Sequence, residues 1–368
     1  MKVAVLGAGH GGLATAGHIS LKGHSVNLFS FYKKEIDPVA ERGGIKLEGD
    51  VEGFAELNLL TTSMDEAISG VDLIMAILPA LAHRNTASLL CGCLEDGQML
   101  LLSPGRTGGA LEVYQVFRRY CLEKKVLLGE CQTFIYATES RGPAHVEIMK
   151  VKNRVRAAAL PASGTDKLIQ VMKELYPEYA AATNVLETSI NNTGAVVHPA
   201  PMLLNSGLLE RAAKGEDLRY YRDIITRYIC DNVMEKIDRE KSDIARALDV
   251  PVLDIRGWYK ECYDIEGEDM YSTLQNNHYY EGFSAPKHIL SYHHVLDEIP
   301  NSLVPLVCFG DALGVDTVMT EAMINLAGAM LDYDFWTEGR TLDKLGIEDM
   351  TREEMLNFVN QGPCFWER

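Results

Sequence analysis

Long apolar runs are missing from this sequence of 368 residues. No run approaches the roughly twenty residues that cross a bilayer, so we expect no membrane-spanning segment. The apolar run that follows Lys2, VAVL, has four residues before the glycines begin, fewer than the apolar region of a secretory signal peptide. These absences predict a cytoplasmic protein.

Metal-binding cysteine patterns are also missing. The eight cysteines include one Cys-Gly-Cys but no Cys-x-x-Cys, and no set of cysteines and histidines has zinc-ligand spacing. We therefore predict reduced thiols and no metal site.

Positive charge is scarce. Lysine and arginine total 35 against 52 acidic residues, a formal net charge of −17, and no segment gathers cations into the basic face that nucleic acid needs. The composition therefore predicts no nucleic-acid partner. The same negative field repels anionic ligands, so a site for one has to supply local cations or backbone amides.

Length and an apolar content of 47% predict two domains. In residues 1–186, short apolar runs alternate with helical stretches, which is typical of an α/β domain with a doubly wound, mostly parallel sheet. Residues 133–160 predict antiparallel strands that extend this sheet. Residues 187–368 repeat apolar residues at three- and four-residue spacing, for example in DLRYYRDIITRYICDNVMEKIDREKSDIARAL, and predict an all-α second domain of amphipathic helices.

A glycine-rich turn joins the first predicted strand, KVAVL, to the helical stretch ATAGHISLKG. In the spacing G-x-G-x-x-G, the first glycine permits a tight turn, the second admits a pyrophosphate and the third lets the helix pack closely. Between a strand and a helix, this motif predicts the dinucleotide-binding turn of a Rossmann domain; a glycine turn without a ligand is the alternative. The residues of this predicted turn are Gly7, Gly9, His10, Gly11 and Gly12.

The end of the second strand bears on the choice between NAD and NADP. NAD sites usually hold the ribose with an acid here, whereas this sequence has Ser30 followed by Lys33 and Lys34. The cations favour a 2′-phosphate and therefore NADP, with a solvated lysine pair as the alternative. Later strand ends that should also face the cofactor contain Pro79, Pro104 and Gly105.

His198 is the main candidate for acid–base chemistry because it lies in NNTGAVVHPAPMLL, on the first predicted helix after the dinucleotide domain. Pro199 should break or kink that helix, which would suit the wall of an interdomain cleft. Asn192 offers an amide on the same helix, or else a structural hydrogen bond. Arg106, in SPGRTGG, is a cation for the cofactor or a substrate carboxylate, or else an exposed loop arginine.

In order, the segments GAGHGG, LPA, SPGRTGGALEVY, NNTGAVVHPAPMLLN, GWYKECY, DEIPNSLVPL and DFWTEGRTLDKLG make the chain resemble the opine dehydrogenases of the octopine and nopaline dehydrogenase group. The resemblance covers nearly the whole chain. It implies that the amine of an amino acid condenses with a 2-oxo acid, commonly pyruvate, and that NADH or NADPH reduces the imine to a secondary amine dicarboxylate. Helical domains of related dehydrogenases often pair, so a homodimer is a further expectation.

The resemblance also implies residue roles. It places the catalytic histidine at His198 and its carboxylate partner in the pair Asp297 and Glu298, where the following LVP favours Glu298 and Asp297 is the alternative. Substrate carboxylates need cations, and the arginine candidates are Arg106, Arg141, Arg256 and Arg340.

Two other functions share this two-domain plan. One is a simpler reductase of a 2-oxo or hydroxy acid, of the ketopantoate or glycerol-phosphate type, although such enzymes usually place a lysine where this helix has His198. The other is a nicotinamide-binding regulatory protein without turnover, because a fold alone does not imply activity.

Overall fold

The computed structural model describes residues 1–121, 123–288 and 293–362, so Cys364, one of the cysteines predicted to be reduced, lies outside the described residues. The chain divides into two compact units. The first contains Met1–Gly105, Gly109–Val185 and the residues from Phe358 on, and the second contains Arg106–Gly108 and Leu186–Asn357. The short stretch Arg106–Gly108 therefore belongs with the later part of the chain.

The first unit is built on a large sheet. Its described residues form strands β1 Lys2–Leu6, β2 Ser25–Phe29, β3 Ile45–Gly49, β4 Gly53–Ala55, β5 Leu59–Thr61, β6 Leu73–Ala76, β7 Met99–Leu102, β8 Leu127–Cys131, β9 Tyr136–Gly142, β10 His145–Val151, β11 Val155–Leu160 and β12 Tyr179–Ala181. Eight strands pair in the order β12-β11-β8-β7-β6-β1-β2-β5, and those from β8 to β5 run parallel. β11 is antiparallel to β8. The predicted doubly wound sheet with an antiparallel extension is confirmed.

A second sheet, not predicted from the sequence, has the order β4-β3-β10-β9. The antiparallel strands predicted in residues 133–160 therefore divide: β11 extends the large sheet, whereas β9 and β10 pair with each other and with β3. β3 and β4 escape prediction because IKLEG carries a lysine and a glutamate and GFA has only three residues, so neither forms an apolar run.

Helix α1, His10–Leu21, lies between the two sheets of the first unit, since it contacts β1 and β2 as well as β3, β4, β9 and β10. Its small side chains permit this position: a Cβ on Gly17 would lie 3.0 Å from Leu47. The other helices that begin in this unit are α2 Lys33–Arg42, α3 Met64–Ile68, α4 His83–Leu90, α5 Gly109–Tyr120, α6 Thr165–Leu175 and α7 Val185–Ile190.

The second unit is helical, as predicted. Its described residues contain no strand beyond the isolated bridge between Arg219 and Ser284. The helices are α8 Gly194–Val197, α9 Pro199–Leu204, α10 Ser206–Ala213, α11 Arg227–Ile229, α12 Glu235–Leu248, α13 Ile255–Tyr263, α14 Met270–Gln275, α15 Val304–Leu313, α16 Val318–Leu331, α17 Phe335–Glu338, α18 Leu342–Leu345 and α19 Arg352–Gln361. None of the helices described here is long and apolar enough to cross a membrane.

The segment DLRYYRDIITRYICDNVMEKIDREKSDIARAL, for which we predict amphipathic helix, is interrupted in its first half. A π-helical turn, Tyr220–Ile224, ends before Ile225 and Thr226, whose backbones are extended. A regular helix runs only from Glu235. The β-branched run at this break disfavours helix because its side chains crowd the preceding turn.

The tight turn between β1 and α1 gives a first prediction. A Cβ on Gly12 would collide with the carbonyl oxygen of Gly7, whereas a Cβ on Gly9 would meet no atom within 4 Å. We expect Gly12→Ala to lower the free energy of unfolding by about 3 kcal/mol or more, as overpacking against rigid backbone does. The matched control, Gly9→Ala, should leave it nearly unchanged. Urea denaturation of both variants measures this, and equal stabilities would contradict it.

Candidate functional site

Two segments of the second unit bring a histidine and a carboxylate together. His198 lies at the break between α8 and α9, where Pro199 begins the new helix. Glu298 lies between two π-helical turns, His293–Asp297 and Ile299–Leu303, that lead into α15. Nδ1 of His198 is 2.7 Å from Oε1 of Glu298.

Both oxygens of the buried Glu298 carboxylate have partners. Besides His198, Oε1 has Nη1 of Arg106 at 2.5 Å. Oε2 accepts a hydrogen bond of 2.7 Å from the hydroxyl of Ser302. That hydroxyl in turn accepts one of 2.7 Å from the amide of Asn192. The carboxylate is therefore bound by an imidazole, a guanidinium and a hydroxyl.

These partners determine the charge of Glu298. Burial alone would raise its pKa, but Arg106, His198 and the Ser302 hydroxyl together lower the pKa to about 2. Glu298 is therefore a carboxylate at neutral pH and accepts the proton on Nδ1 of His198. Glu298 therefore engages Nδ1 and not Nε2, and the side chain of His198 is 19% exposed.

Arg106 adopts a backbone conformation that residues with side chains rarely take, with φ at +60°. Its Nε lies 3.4 Å from Oδ2 of Asp297, in addition to the contact with Glu298. The next residue is anchored as well, because the amide of Thr107 donates to the carbonyl of Asn301 at 3.1 Å. The two acids and this anchor hold Arg106 in place.

Pro305 leaves backbone carbonyl groups of the turn that follows Glu298 without a hydrogen-bond donor inside the helix. Pro305 lacks an N–H, and two carbonyls of the preceding turn bond outside the helix. The carbonyl of Pro300 accepts from the amide of Arg340 at 2.8 Å, and that of Asn301 accepts from Thr107. The motif IPNSLVP thus binds the Arg106 segment through its backbone.

The glycine turn of the first unit fits the pyrophosphate of a dinucleotide. Helix α1 has no side-chain cap and no acid in its first turn, so its first amides suit an anion. Gly7 has φ of +110°, and a Cβ there would collide with the carbonyl of Ile77. Gly9 and His10 are exposed, Gly11 is half-buried and Gly12 is buried. The turn therefore leaves room for a ligand at Gly9.

The residues expected at the 2′-phosphate are not all free to bind it. The hydroxyl of Ser30, buried at the end of β2, donates to the carboxylate of Glu35 at 2.6 Å. Lys33 and Lys34 begin α2 and are exposed. The cations that favour NADP are accessible, but Glu35 places a negative charge beside them.

The other predicted residues fall into separate places. Pro79 follows β6, and Pro104 and Gly105 follow β7, at the carboxyl ends of neighbouring parallel strands. Arg141 lies on β9, where it forms ion pairs with Glu139 and Glu147. Arg256 is exposed on α13. The structure thus brings together Arg106, Asn192, His198, Asp297 and Glu298.

The sequence reasoning did not identify Ser302 or His294. Ser302 follows Glu298 by four residues, a spacing that places both side chains on one helical face and could have revealed it. His294 lies with its ring centroid 4.3 Å from that of His198, and no local pattern indicates this. In the part of the chain that the structure describes, no group of three or more acids, histidines and cysteines could hold a metal ion.

Comparisons with known proteins agree with this two-part organisation. The model of the α-helical domain of NAD/NADP octopine/nopaline dehydrogenase matches residues 181–331, and that of the N-terminus of NAD-dependent glycerol-3-phosphate dehydrogenase matches residues 2–112. Opine dehydrogenase of Arthrobacter sp. (strain 1C) is 35% identical over 95% of this chain and 96% of its own. Octopine dehydrogenase of Pecten maximus is 21% identical over 94% of each chain.

Solved structures show the same fold. Octopine dehydrogenase with NADH and L-arginine superposes with a TM-score of 0.76 at 20% identity, over 97% of this chain and 98% of that one. Yersinopine dehydrogenase with bound NADP+ gives 0.70 at 13% identity, over 98% of each chain. At these identities the likeness establishes the fold alone.

The buried carboxylate gives a second prediction. Because the pKa of Glu298 lies at about 2 rather than 4.5, its ionised form stabilises the fold above pH 4.5, and this stabilisation is lost as pH falls toward 2. The shift corresponds to about 3 kcal/mol. We expect the loss of unfolding free energy in Glu298→Gln to be largest near neutral pH and to shrink between pH 4.5 and 2.

Urea denaturation at a series of pH values measures this effect. Glu268→Gln is the matched control, because Glu268 is exposed and should contribute little at any pH. A loss in Glu298→Gln that stays constant across the acid range would contradict the prediction.

Proposed function

Because this chain belongs to the opine dehydrogenase family, we propose that His198 is the proton donor in its reaction. The chain is an NAD(P)H-dependent oxidoreductase that acts on CH–NH bonds. The reaction joins the amine of an amino acid to a 2-oxo acid and reduces the resulting imine to a secondary amine. The observation that carries the proposal is the 2.7 Å contact between His198 and the ionised Glu298.

Condensation and reduction both move protons. As the amine adds to the oxo acid and the imine forms, the nitrogen loses two protons, and the carbonyl oxygen gains two and leaves as water. The reduced nitrogen then carries one proton more than the imine. NAD(P)H, when bound, supplies the hydride for the imine carbon. Nε2 of His198 donates a proton to the departing oxygen, and the Glu298 carboxylate stabilises the imidazolium before that transfer.

Glu298, Ser302 and Asn192 act through His198, so we assign them as positioning residues. Glu298 directs the imidazole, Ser302 holds the second carboxylate oxygen, and Asn192 holds Ser302. Arg106 balances the negative charge of Glu298 and Asp297. This role accounts for its contacts better than a substrate carboxylate does, because the acids already bind Nε and Nη1.

Pyruvate is the oxo acid that we propose. An octopine dehydrogenase of the same fold has been solved with NADH and pyruvate, and pyruvate is the smallest 2-oxo acid with a carbon side chain.

We propose NADPH as the preferred cofactor. The glycine turn at Gly7, Gly9 and Gly12 would hold the pyrophosphate, as its steric fit indicates. Lys33 and Lys34 would bind the 2′-phosphate, because both are exposed at the start of α2 beside the end of β2. Glu35 opposes this preference by its charge, which makes the preference modest.

Turnover tests the proposed reaction. NADPH oxidation, followed by absorbance, should require both pyruvate and an amino acid, each amino acid being supplied in turn. His198→Ala should lower kcat by roughly 100-fold or more, because general acid catalysis contributes about that much. His24→Ala, a half-buried histidine of the first unit, is the control and should keep its activity.

Other outcomes would exclude the proposal. Oxidation with pyruvate alone would identify a simple oxo acid reductase. Full activity in His198→Ala would show that another group donates the proton.

Removing the charges at the start of α2 tests the proposed preference for NADPH. In the double variant Lys33→Ala/Lys34→Ala we expect KM for NADPH to rise about 10-fold while KM for NADH changes little, since each cation contributes through its contact with the phosphate. Glu35→Gln removes a negative charge instead of a positive one, so this control variant should lower KM for NADPH. An equal rise in KM for both cofactors in the double variant, or a wild-type preference for NADH, would contradict the proposal.

A further inference from the structure

A second imidazole lies against the proposed proton donor. The ring centroids of His294 and His198 are 4.3 Å apart, with their planes inclined by 31°. The ring of His294 also contacts that of Tyr220, at 4.9 Å and 33°. His294 therefore joins the ring of His198 to a third ring of the second unit.

Tyr220 is itself fixed at the backbone of His198. Its hydroxyl donates to the carbonyls of Val197 at 2.9 Å and His198 at 3.2 Å. The carbonyl of Val197 is available because the residue four positions later, Pro201, has no N–H to donate. The motif HPAP thus creates the acceptor that anchors Tyr220, and Tyr220 supports His294.

The hydrogen bond to Glu298 does not by itself hold the ring of His198. It fixes the position of one ring atom, Nδ1, and leaves the plane of the ring free to tilt about that atom. A contact on the face of the ring removes this freedom, and His294 supplies one at stacking distance. Orientation of this kind matters because small misplacements of a reacting group slow a reaction strongly.

We propose that His294 is a positioning residue whose ring fixes the plane of the His198 imidazole, so that Nε2 keeps one direction while Nδ1 is bonded to Glu298. This inference rests on the proposed role of His198. It assigns His294 no proton and no contact with substrate. A flat ring, rather than a ring nitrogen, is what the role requires.

Charge is compatible with the contact. Burial lowers the pKa of His294 well below its ordinary value, and positive charge at His198, His293 and Arg106 lowers it further. His294 is therefore neutral when His198 is protonated, and the two rings do not repel each other. Nδ1 of His294 is buried and has no hydrogen-bond partner among the described residues, so the stack does not depend on it.

Two substitutions of His294 distinguish the effect of a flat ring from the effect of the ring nitrogens. His294→Phe keeps a flat ring, whereas His294→Ala removes it. We expect His294→Ala to lower kcat about 10-fold or more with little change in KM for NADPH, and His294→Phe to keep kcat within about 3-fold of wild type. An equal loss in both variants would overturn the proposal by assigning the role to a nitrogen, and full activity in His294→Ala would also overturn it.

Carbon-13 NMR relaxation of the histidine ring C–H groups provides a readout that does not need turnover. In wild type and in His294→Phe, we expect a high order parameter for the His198 ring; in His294→Ala we expect a lower one, because the ring plane is then free to tilt about Nδ1. An unchanged order parameter of His198 in His294→Ala would contradict the positioning role. If no substrate pair supports turnover, the proposed reaction fails, while this measurement still tests the contact.

Tyr220→Phe is a milder variant that tests the same proposal if His294→Ala does not fold. It keeps every ring in the stack and removes only the hydroxyl that anchors Tyr220 to the backbone. We expect an intermediate loss of kcat and an intermediate order parameter for the His198 ring. A Tyr220→Phe variant with wild-type kcat and order parameter would show that the anchor does not act on His198.

Discussion

A single buried carboxylate organises the helical unit. Removing the charge of Glu298 from water is strongly unfavourable unless paired groups replace its hydration. Its partners come from places far apart in the sequence: the Arg106 segment, the break at His198, and Ser302 one turn along. The buried charge is therefore stabilised only when these three segments lie together, so the packing of this part of the fold and the geometry of the site depend on the same contacts.

Local chemistry made much of this predictable. Most strands of the large sheet are apolar runs, the glycine turn lies between a strand and a helix, and His198 is followed by Pro199, so each could be predicted from neighbouring residues. The partner of His198 was different, because Asp297 and Glu298 are adjacent and both acidic. Only their directions from the helix distinguish them, and Glu298 is the one that faces Nδ1.

What the sequence did not predict depends on distant contacts. The place of Arg106 in the second unit follows from bonds between Thr107 and a carbonyl near Pro305, which no local pattern encodes. The second sheet depends on β3, a segment too polar to form the apolar run that indicates a buried strand. The contact between His294 and His198 joins residues almost a hundred positions apart, and only the folded chain brings them together.

The arrangement also explains how a strongly acidic chain can act on acids. One guanidinium, Arg106, faces two carboxylates, Asp297 and Glu298. With His198 protonated, the formal charge of these four groups is zero; with His198 neutral, it is negative. In the proposed reaction, an anionic substrate would meet a neutral cluster while the proton is on His198, and the transfer of that proton to the substrate would make the cluster negative. The proton that His198 is proposed to donate is thus also the charge that balances the two carboxylates.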